Sequence, residues 1–206
     1  MIKINLLIAF LIIVGAASYT VLHKNPVASV QNVKSKITKV VKTQSIPAPK
    51  LATNYCANGS DQEIIVSISK QHLWACSGTT TQYDSAVITG MQMYPADLTP
   101  VGTYKIYGKQ INQTLAGHDS TGSWSDFVNY WMPFLNNQYG TYGFHDLTTA
   151  ANGSNGRADS DFGNVDVYAP YTAAKHGSHG CVELPLATAK WLYDWAPVGT
   201  TVVIQS

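Results

Sequence analysis

From Tyr55 to the C-terminus the chain is a succession of short β-favouring runs closed by turn signals, and this pattern constrains its fold more than any other feature. Ile64–Ile68 and His72–Cys76 are rich in β-branched and aromatic side chains, and Ser69-Lys70-Gln71 between them predicts a hairpin. Tyr83–Thr89 reads as a third strand. Thr99-Pro100-Val101-Gly102-Thr103 is a turn leading into a fourth, Tyr104–Tyr107. Phe127–Phe134 is rich in aromatics, and Tyr142-Gly143-Phe144-His145 predicts a short strand that delivers His145 to its end. The period then changes. Leu186–Trp195 has apolar residues at 186, 187, 189, 191, 192 and 195, the spacing of a helix, and Gly199-Thr200 turns into a last strand, Thr201–Ile204. The expectation is a mainly β domain over residues 55–206 with one or two short helices. No internal repeat is apparent.

The first fifty residues are of another kind. They carry seven lysines and no acid, whereas residues 51–206 carry six Lys/Arg against twelve Asp/Glu, a net charge of −6. Ile4 to Leu22 holds no charge, and nineteen such residues as a helix just span a bilayer core of ~30 Å. Residues 1–23 therefore read as a signal anchor or, given Gly15-Ala16-Ala17 after the apolar run, a cleaved signal peptide. The run continues through Tyr19, Val21 and Leu22, which favours the anchor. Lys24, Lys34, Lys36 and Lys39 follow it, and the positive-inside rule alone would keep the domain in the cytoplasm. The export-like shape of the segment outweighs that rule here, so the domain is expected outside the membrane, on a single-pass anchor or secreted. Residues 24–54 read as a basic, Pro-containing spacer.

Three cysteines divide unevenly in an exported protein. Cys56 and Cys76 are candidates for a disulfide, since the first hairpin carries Cys76 back towards the residues before it; three unpaired thiols are the alternative. Cys181 is then the odd thiol, and its setting is the chemical centre of the sequence. His176-Gly177-Ser178-His179-Gly180-Cys181 places two histidines and two glycines beside a cysteine, with His145 upstream. A thiol is a strong nucleophile only as thiolate, which a nearby imidazolium favours. Gly180 lets a substrate approach the backbone, where the N–H groups of Gly180 and Cys181 are candidate oxyanion donors. His179, two residues before Cys181, shares its face in an extended segment, as a second base, a substrate contact or a brace for the loop. Ser178 is expected to fix the loop or a histidine by hydrogen bonding. His23, His72, His118 and His176 read as surface or packing residues, and Trp124, Tyr130, Trp131 and Tyr142 as core rather than substrate wall.

Ser178-His179-Gly180-Cys181-Val182 resembles the signature of L,D-transpeptidases with a YkuD-type catalytic domain. Gln71-His72-Leu73-Trp74, Thr99-Pro100-Val101-Gly102-Thr103-Tyr104, Tyr130-Trp131-Met132-Pro133-Phe134, Gly143-Phe144-His145-Asp146, Leu192-Tyr193-Asp194-Trp195 and Val198-Gly199-Thr200 resemble its flanking motifs in order, over roughly residues 60–206. The resemblance implies a β-rich, sandwich-like catalytic domain without cofactor or metal, with Cys181 as nucleophile and His145 as general base. It implies peptidoglycan stem peptides as partners. A donor tetrapeptide would lose D-alanine to form an acyl-cysteine, and the side-chain amine of a second stem would take the acyl group in a 3→3 cross-link. Water as acceptor would make the protein an L,D-carboxypeptidase; a wall-binding module with weak catalysis is the third reading.

Two departures from the family pattern stand out. Glu183 occupies a position where Arg or Asn is usual, and its charge is expected to repel the donor carboxylate or disfavour the thiolate. The stretch between His145 and Cys181 is long, and the Gly-, Asn- and Asp-rich residues 148–166 predict a loop near the site, able to act as a lid. No HExxH, paired CxxC, GxxxxGK[ST] or GxGxxG occurs, so neither a metal nor a nucleotide site is indicated. The acidic domain has no basic stripe for nucleic acid.

Overall fold

The structure, a computed structural model, describes residues 54–56, 61–119, 122–147 and 156–206. The expected anchor and spacer lie outside the described residues, apart from Asn54, as does the part of the expected loop from 148 to 155.

Among the described residues the domain consists of two sheets, one α-helix and a short 3-10 helix at Asp159–Asp161. β1 (Gln62–Ser67), β2 (His72–Ser77) and β3 (Thr80–Ala86) follow one another as antiparallel hairpin strands. β4 (Gly102–Lys105) joins the same sheet through the C-terminal strand, giving the order β3-β2-β1-β9-β4. The second sheet has the order β5-β6-β7-β8: β5 (Gln110–Asp119), β6 (Gly122–Asn137), β7 (Gly140–Asp146) and β8 (Val182–Leu184). α1 (Leu186–Trp195) forms over the residues whose spacing predicts it, and β9 (Thr201–Gln205) then runs parallel to β1.

β1 shows why the first sheet is central. Its Ile64-Ile65-Val66 run is buried on both faces. Ile64 and Val66 belong to the main core with Leu73, Met132, Phe134, Phe144, Leu184, Leu192, Val202 and Ile204. Ile65 points the other way, into a smaller cluster with Cys56 and Cys76. Those two cysteines form a disulfide across a sequence separation of 20, with Cα atoms 5.4 Å apart. Asn54 caps the turn, its side chain accepting the Cys56 N–H and donating to the Thr79 carbonyl.

Two local expectations shift. β3 begins at Thr80 and leaves the sheet after Ala86, because Ile88 exchanges backbone hydrogen bonds with Glu183 at 2.8 and 3.0 Å. Residues 88–91 therefore run beside the Gly177–Glu183 segment, where Ser178 N–H donates to Thr89 O and Met91 N–H to Ser178 O. The long antiparallel ribbon of β5 and the first half of β6 was not indicated by the sequence. Ser123, Ser125 and Phe127 are exposed while Trp124 and Asp126 turn inward, so polar residues occupy both faces and the period-2 signal is weak.

Candidate active site

β7 and β8 lie parallel, with His145 opposite Glu183. This pairing brings the end of β7 beside the loop that precedes β8. His145 is buried, 5% exposed, and its Nδ1–H donates to the Asp146 carbonyl at 3.0 Å, which leaves Nε2 as the nitrogen available to Cys181; the two residues bound one small space, and the Cys181 Sγ lies 3.8 Å from the Thr141 carbonyl oxygen. Burial by itself disfavours the imidazolium, but the hydrogen bond and charge of Cys181, the charge of Glu183 and the Asp146 carbonyl outweigh it and hold His145 up at about 9. Cys181 is half-buried and is the one free cysteine among the described residues.

The loop around Cys181 is pinned by hydrogen bonds rather than by packing. Ser178 Oγ–H donates to the Cys181 carbonyl at 2.5 Å and accepts the Gly180 N–H at 3.1 Å. Thr99 Oγ1–H donates to the Gly180 carbonyl and accepts the Gly90 N–H, both at 2.8 Å. Ser178 thus holds the loop, and the Gly180 amide is engaged within it, which leaves the Cys181 N–H as the remaining sequence candidate for an oxyanion donor. Gly180 is required here for its backbone: φ is +108°, and a Cβ would stand 2.5 Å from the Tyr142 ring.

His179 bounds both spaces that reach Cys181. Its ring stacks on Trp124, centroids 4.9 Å apart and planes within 13°, and its Nδ1 lies 3.9 Å from Asp97 Oδ1, an ion-pair separation beyond hydrogen-bond reach. Asp97 is 1% exposed and its Oδ2 has no hydrogen-bond partner. Its position in the loop before Thr99 gave no hint of this role.

Glu183 corrects an expectation. It is buried, and Arg157 Nε–H donates to its Oε2 at 2.8 Å while Nη2–H donates to the Gly177 carbonyl at 3.2 Å. The cation comes from the loop upstream of Cys181, too far in sequence for spacing to reveal it. The carboxylate is paired in place, so it does not present a bare charge to a donor, although its charge still acts on His145.

Two spaces reach the sulfur and a third adjoins them. A cleft of about 500 Å³ is lined by Cys181, His179, Asp97, Trp124, Trp131, Tyr142 and residues of the ribbon. A second, of about 220 Å³, lies on the other side of the Trp124–His179 stack, lined by Asp126, Arg157, Asp161, Tyr171, His176 and Glu183. Between them a space of about 20 Å³ is bounded by Cys181, His145, His179, Ser178, Asp126, Glu183, Leu115 and Trp124. Trp124, Trp131 and Tyr142 are therefore walls of the cleft as well as packed residues. Trp124 reaches across the ribbon because Gly117 faces it, where a Cβ would meet its indole at 2.4 Å. His176 and His118 line the clefts away from the sulfur, and His72 pairs with Asp84. His23 lies outside the described residues.

Asp146 is another residue missed. Its buried carboxylate accepts the Asn129 N–H, the Asn129 side-chain amide and the Tyr130 N–H at 2.7–2.9 Å, fixing the root of the ribbon beside His145. Among the described residues no group of His, Cys, Asp and Glu is arranged to hold a metal ion.

The family model for the YkuD L,D-transpeptidase catalytic domain matches residues 61–204. A Bacillus subtilis (strain 168) protein, YciB, provisionally named an L,D-transpeptidase, is 25% identical over 142 residues, 69% of this chain and 64% of its own length. A crystal structure of an Enterococcus faecium L,D-transpeptidase with a cysteine-to-serine substitution is similar at 27% identity and a TM-score of 0.55, over 70% of this chain and 50% of that one. The catalytic domain of an E. faecium L,D-transpeptidase acylated by ertapenem is similar at 26% identity and a TM-score of 0.52, over 70% of this chain and 97% of that domain. The chain thus spans less than two thirds of the curated relative and half of the crystallised one.

Proposed function

The chain belongs to the YkuD family of L,D-transpeptidase catalytic domains, and on that premise we propose that it is a peptidoglycan L,D-transpeptidase working through an acyl-cysteine. The observation that carries this reading is that the buried His145 and the free thiol of Cys181 bound one small space, with Cys181 also lining a cleft of about 500 Å³. Cys181 Sγ attacks the carbonyl of the donor stem on the L-centre of its diamino acid. The S–C bond forms, the C–N bond to D-alanine breaks, and His145 Nε2 gives its proton to the leaving amine. The Cys181 N–H is placed to stabilise the oxyanion. The acyl group then passes to the side-chain amine of a second stem, which closes a 3→3 cross-link. The ertapenem adduct of the related E. faecium domain supports the acylation half of this scheme.

We further propose that residues 1–23 anchor the protein in the bacterial membrane and residues 24–54 hold the catalytic domain, 55–206, away from it on the outer side. The apolar, uncharged run from Ile4 to Leu22 supports this.

The full chain incubated with a stem tetrapeptide should release D-alanine and yield a cross-linked dimer by mass spectrometry. A carbapenem should leave one covalent adduct, absent from Cys181→Ala. An adduct that survives this substitution overturns the assignment of Cys181, and D-alanine release without dimer makes the protein a carboxypeptidase.

A further inference from the structure

The cavity that holds Cys181 and His145 also holds a carboxyl group for which the acylation step has no use. Asp126 sits on the inward face of β6, two residues from Trp124, and lines both the small reaction space and the 220 Å³ cleft. It is the only residue besides Trp124, His179 and Glu183 that belongs to both spaces. Glu183 is engaged with Arg157, so Asp126 is the second carboxylate at the boundary between this cleft and the small space that holds the sulfur. The cleft is acidic in balance. Asp126, Asp161 and Glu183 line it with Arg157 and His179, and burial, first of all, holds His176 down towards its neutral form. A cation is therefore drawn into it, whereas a free carboxylate is not.

We propose that the smaller cleft is the acceptor site, and that Asp126 binds the primary ammonium of the acceptor and takes the first of its two surplus protons. This rests on the transpeptidase reading above and specifies how its second half proceeds. After acylation His145 is neutral, because its proton has left with the D-alanine amine. The acceptor arrives as an ammonium, which cannot attack. One proton passes to the Asp126 carboxylate and from there to solvent through the cleft. The freed amine attacks the thioester carbonyl, the N–C bond forms and the C–S bond breaks. The second proton goes to His145 Nε2, which restores the imidazolium facing the thiolate. Burial, and then the Glu183 charge, raise the Asp126 carboxyl above the usual carboxylate range, which makes it a better proton acceptor; His145, His179 and Arg157 oppose that rise. Water needs no such deprotonation, so hydrolysis of the acyl-enzyme does not call on Asp126 in this way.

The test separates the two halves of the reaction. Wild-type, Asp126→Asn and Asp126→Glu full chains are, in separate samples, either acylated with a carbapenem and followed by intact mass, or supplied, unacylated, with a stem tetrapeptide that serves as donor and acceptor. Asp126→Asn should acylate within about threefold of wild type and still release D-alanine, while dimer formation falls roughly 10²-fold. Asp126→Glu should recover most of the transfer. The wild-type transfer rate should show an acidic limb that Asp126→Asn lacks. Equal loss of acylation and transfer in Asp126→Asn overturns the proposal, because the residue is then structural, and so does unchanged transfer. A wild-type protein that acylates yet never forms dimer refutes the transpeptidase reading itself, and the acceptor site with it.

Discussion

The two sheets of this domain divide stability from chemistry. The first is assembled from neighbours in sequence, β1 to β3, with an aliphatic interior and a disulfide across its outer cluster. None of its strands lines any of the three spaces around Cys181. The second sheet joins β7 to a strand 36 residues further on and carries three of the five buried Asp, Glu and His side chains among the described residues, His145, Asp146 and Glu183; the others are Glu63 in β1 and Asp97 in the loop before β4. Ionisable groups are expensive to bury, so the clustering of three of them along one edge of this sheet marks where folding stability is traded for function. The comparison makes a sharp demand. Damage to the second sheet's edge should reach the chemistry, whereas damage to the first should reach only stability.

The largest effect expected on that edge is from His145→Gln. Removing the proton donor to the leaving amine should slow acylation by roughly 10²–10⁴-fold, with the urea midpoint close to that of wild type. The pH profile carries the same information. His145 is cationic below about 9 and neutral above it, so acylation of wild type should fall as pH rises through about 9. A profile still flat well above that value would remove His145 from the proton-transfer role.

Arg157→Met should come next, and its effect should be on stability. It leaves the Glu183 carboxylate buried with no counter-ion, a situation that costs about 3–5 kcal/mol. Equilibrium urea unfolding measures it. A loss under about 1 kcal/mol would show that the pair is effectively solvated, and the contrast between an apolar sheet and a charged one would weaken.

On the other sheet, Cys56→Ser with Cys76→Ser opens a loop of 20 residues. The chain-entropy relation gives about 3 kcal/mol for the loss. The rate of carbapenem acylation at a temperature where the variant is folded should match wild type. A slowed rate would mean that the frame and the site are coupled, contrary to the division drawn here.

What could be read from the sequence follows the same line. Ile64–Ile68, His72–Cys76 and Leu186–Trp195 were legible because each buries a regular apolar face over a short span. Cys181 and His145 were legible because a histidine- and glycine-rich motif has few other uses. The ribbon of β5 and β6 was not, since Gln113, Ser123 and Ser125 give it no apolar alternation. Asp97, Asp126, Asp146 and Arg157 were not either. Each acts through a partner distant in sequence: Asp97 faces His179, Arg157 reaches Glu183, and Asp146 ties the strand bearing Asn129. An isolated Asp or Arg in a polar stretch carries no local mark of such a partner.

Glu183→Gln is the finest test of the comparison and should have the smallest effect. In the sequence, Glu183 reads as a charge set against the thiolate. In the structure, Arg157 accepts that charge at 2.8 Å, and a glutamine keeps both the shape and an oxygen for the Arg157 Nε–H. What is lost is one of the charges that favour the His145 imidazolium, and it ranks below the hydrogen bond and the charge of Cys181. The imidazolium should therefore persist at neutral pH and give way somewhat earlier on the alkaline side. Acylation near pH 7 should change by less than about threefold, which is under 1 kcal/mol, while the basic limb moves to lower pH. Arg157, which lines the open cleft and keeps the Gly177 carbonyl, stays hydrated, so the stability loss should be well below that of Arg157→Met. A tenfold gain in acylation at neutral pH would show that the Glu183 charge reaches the sulfur uncompensated, and the ion pair with Arg157 would then not be what sets the electrostatics of this edge.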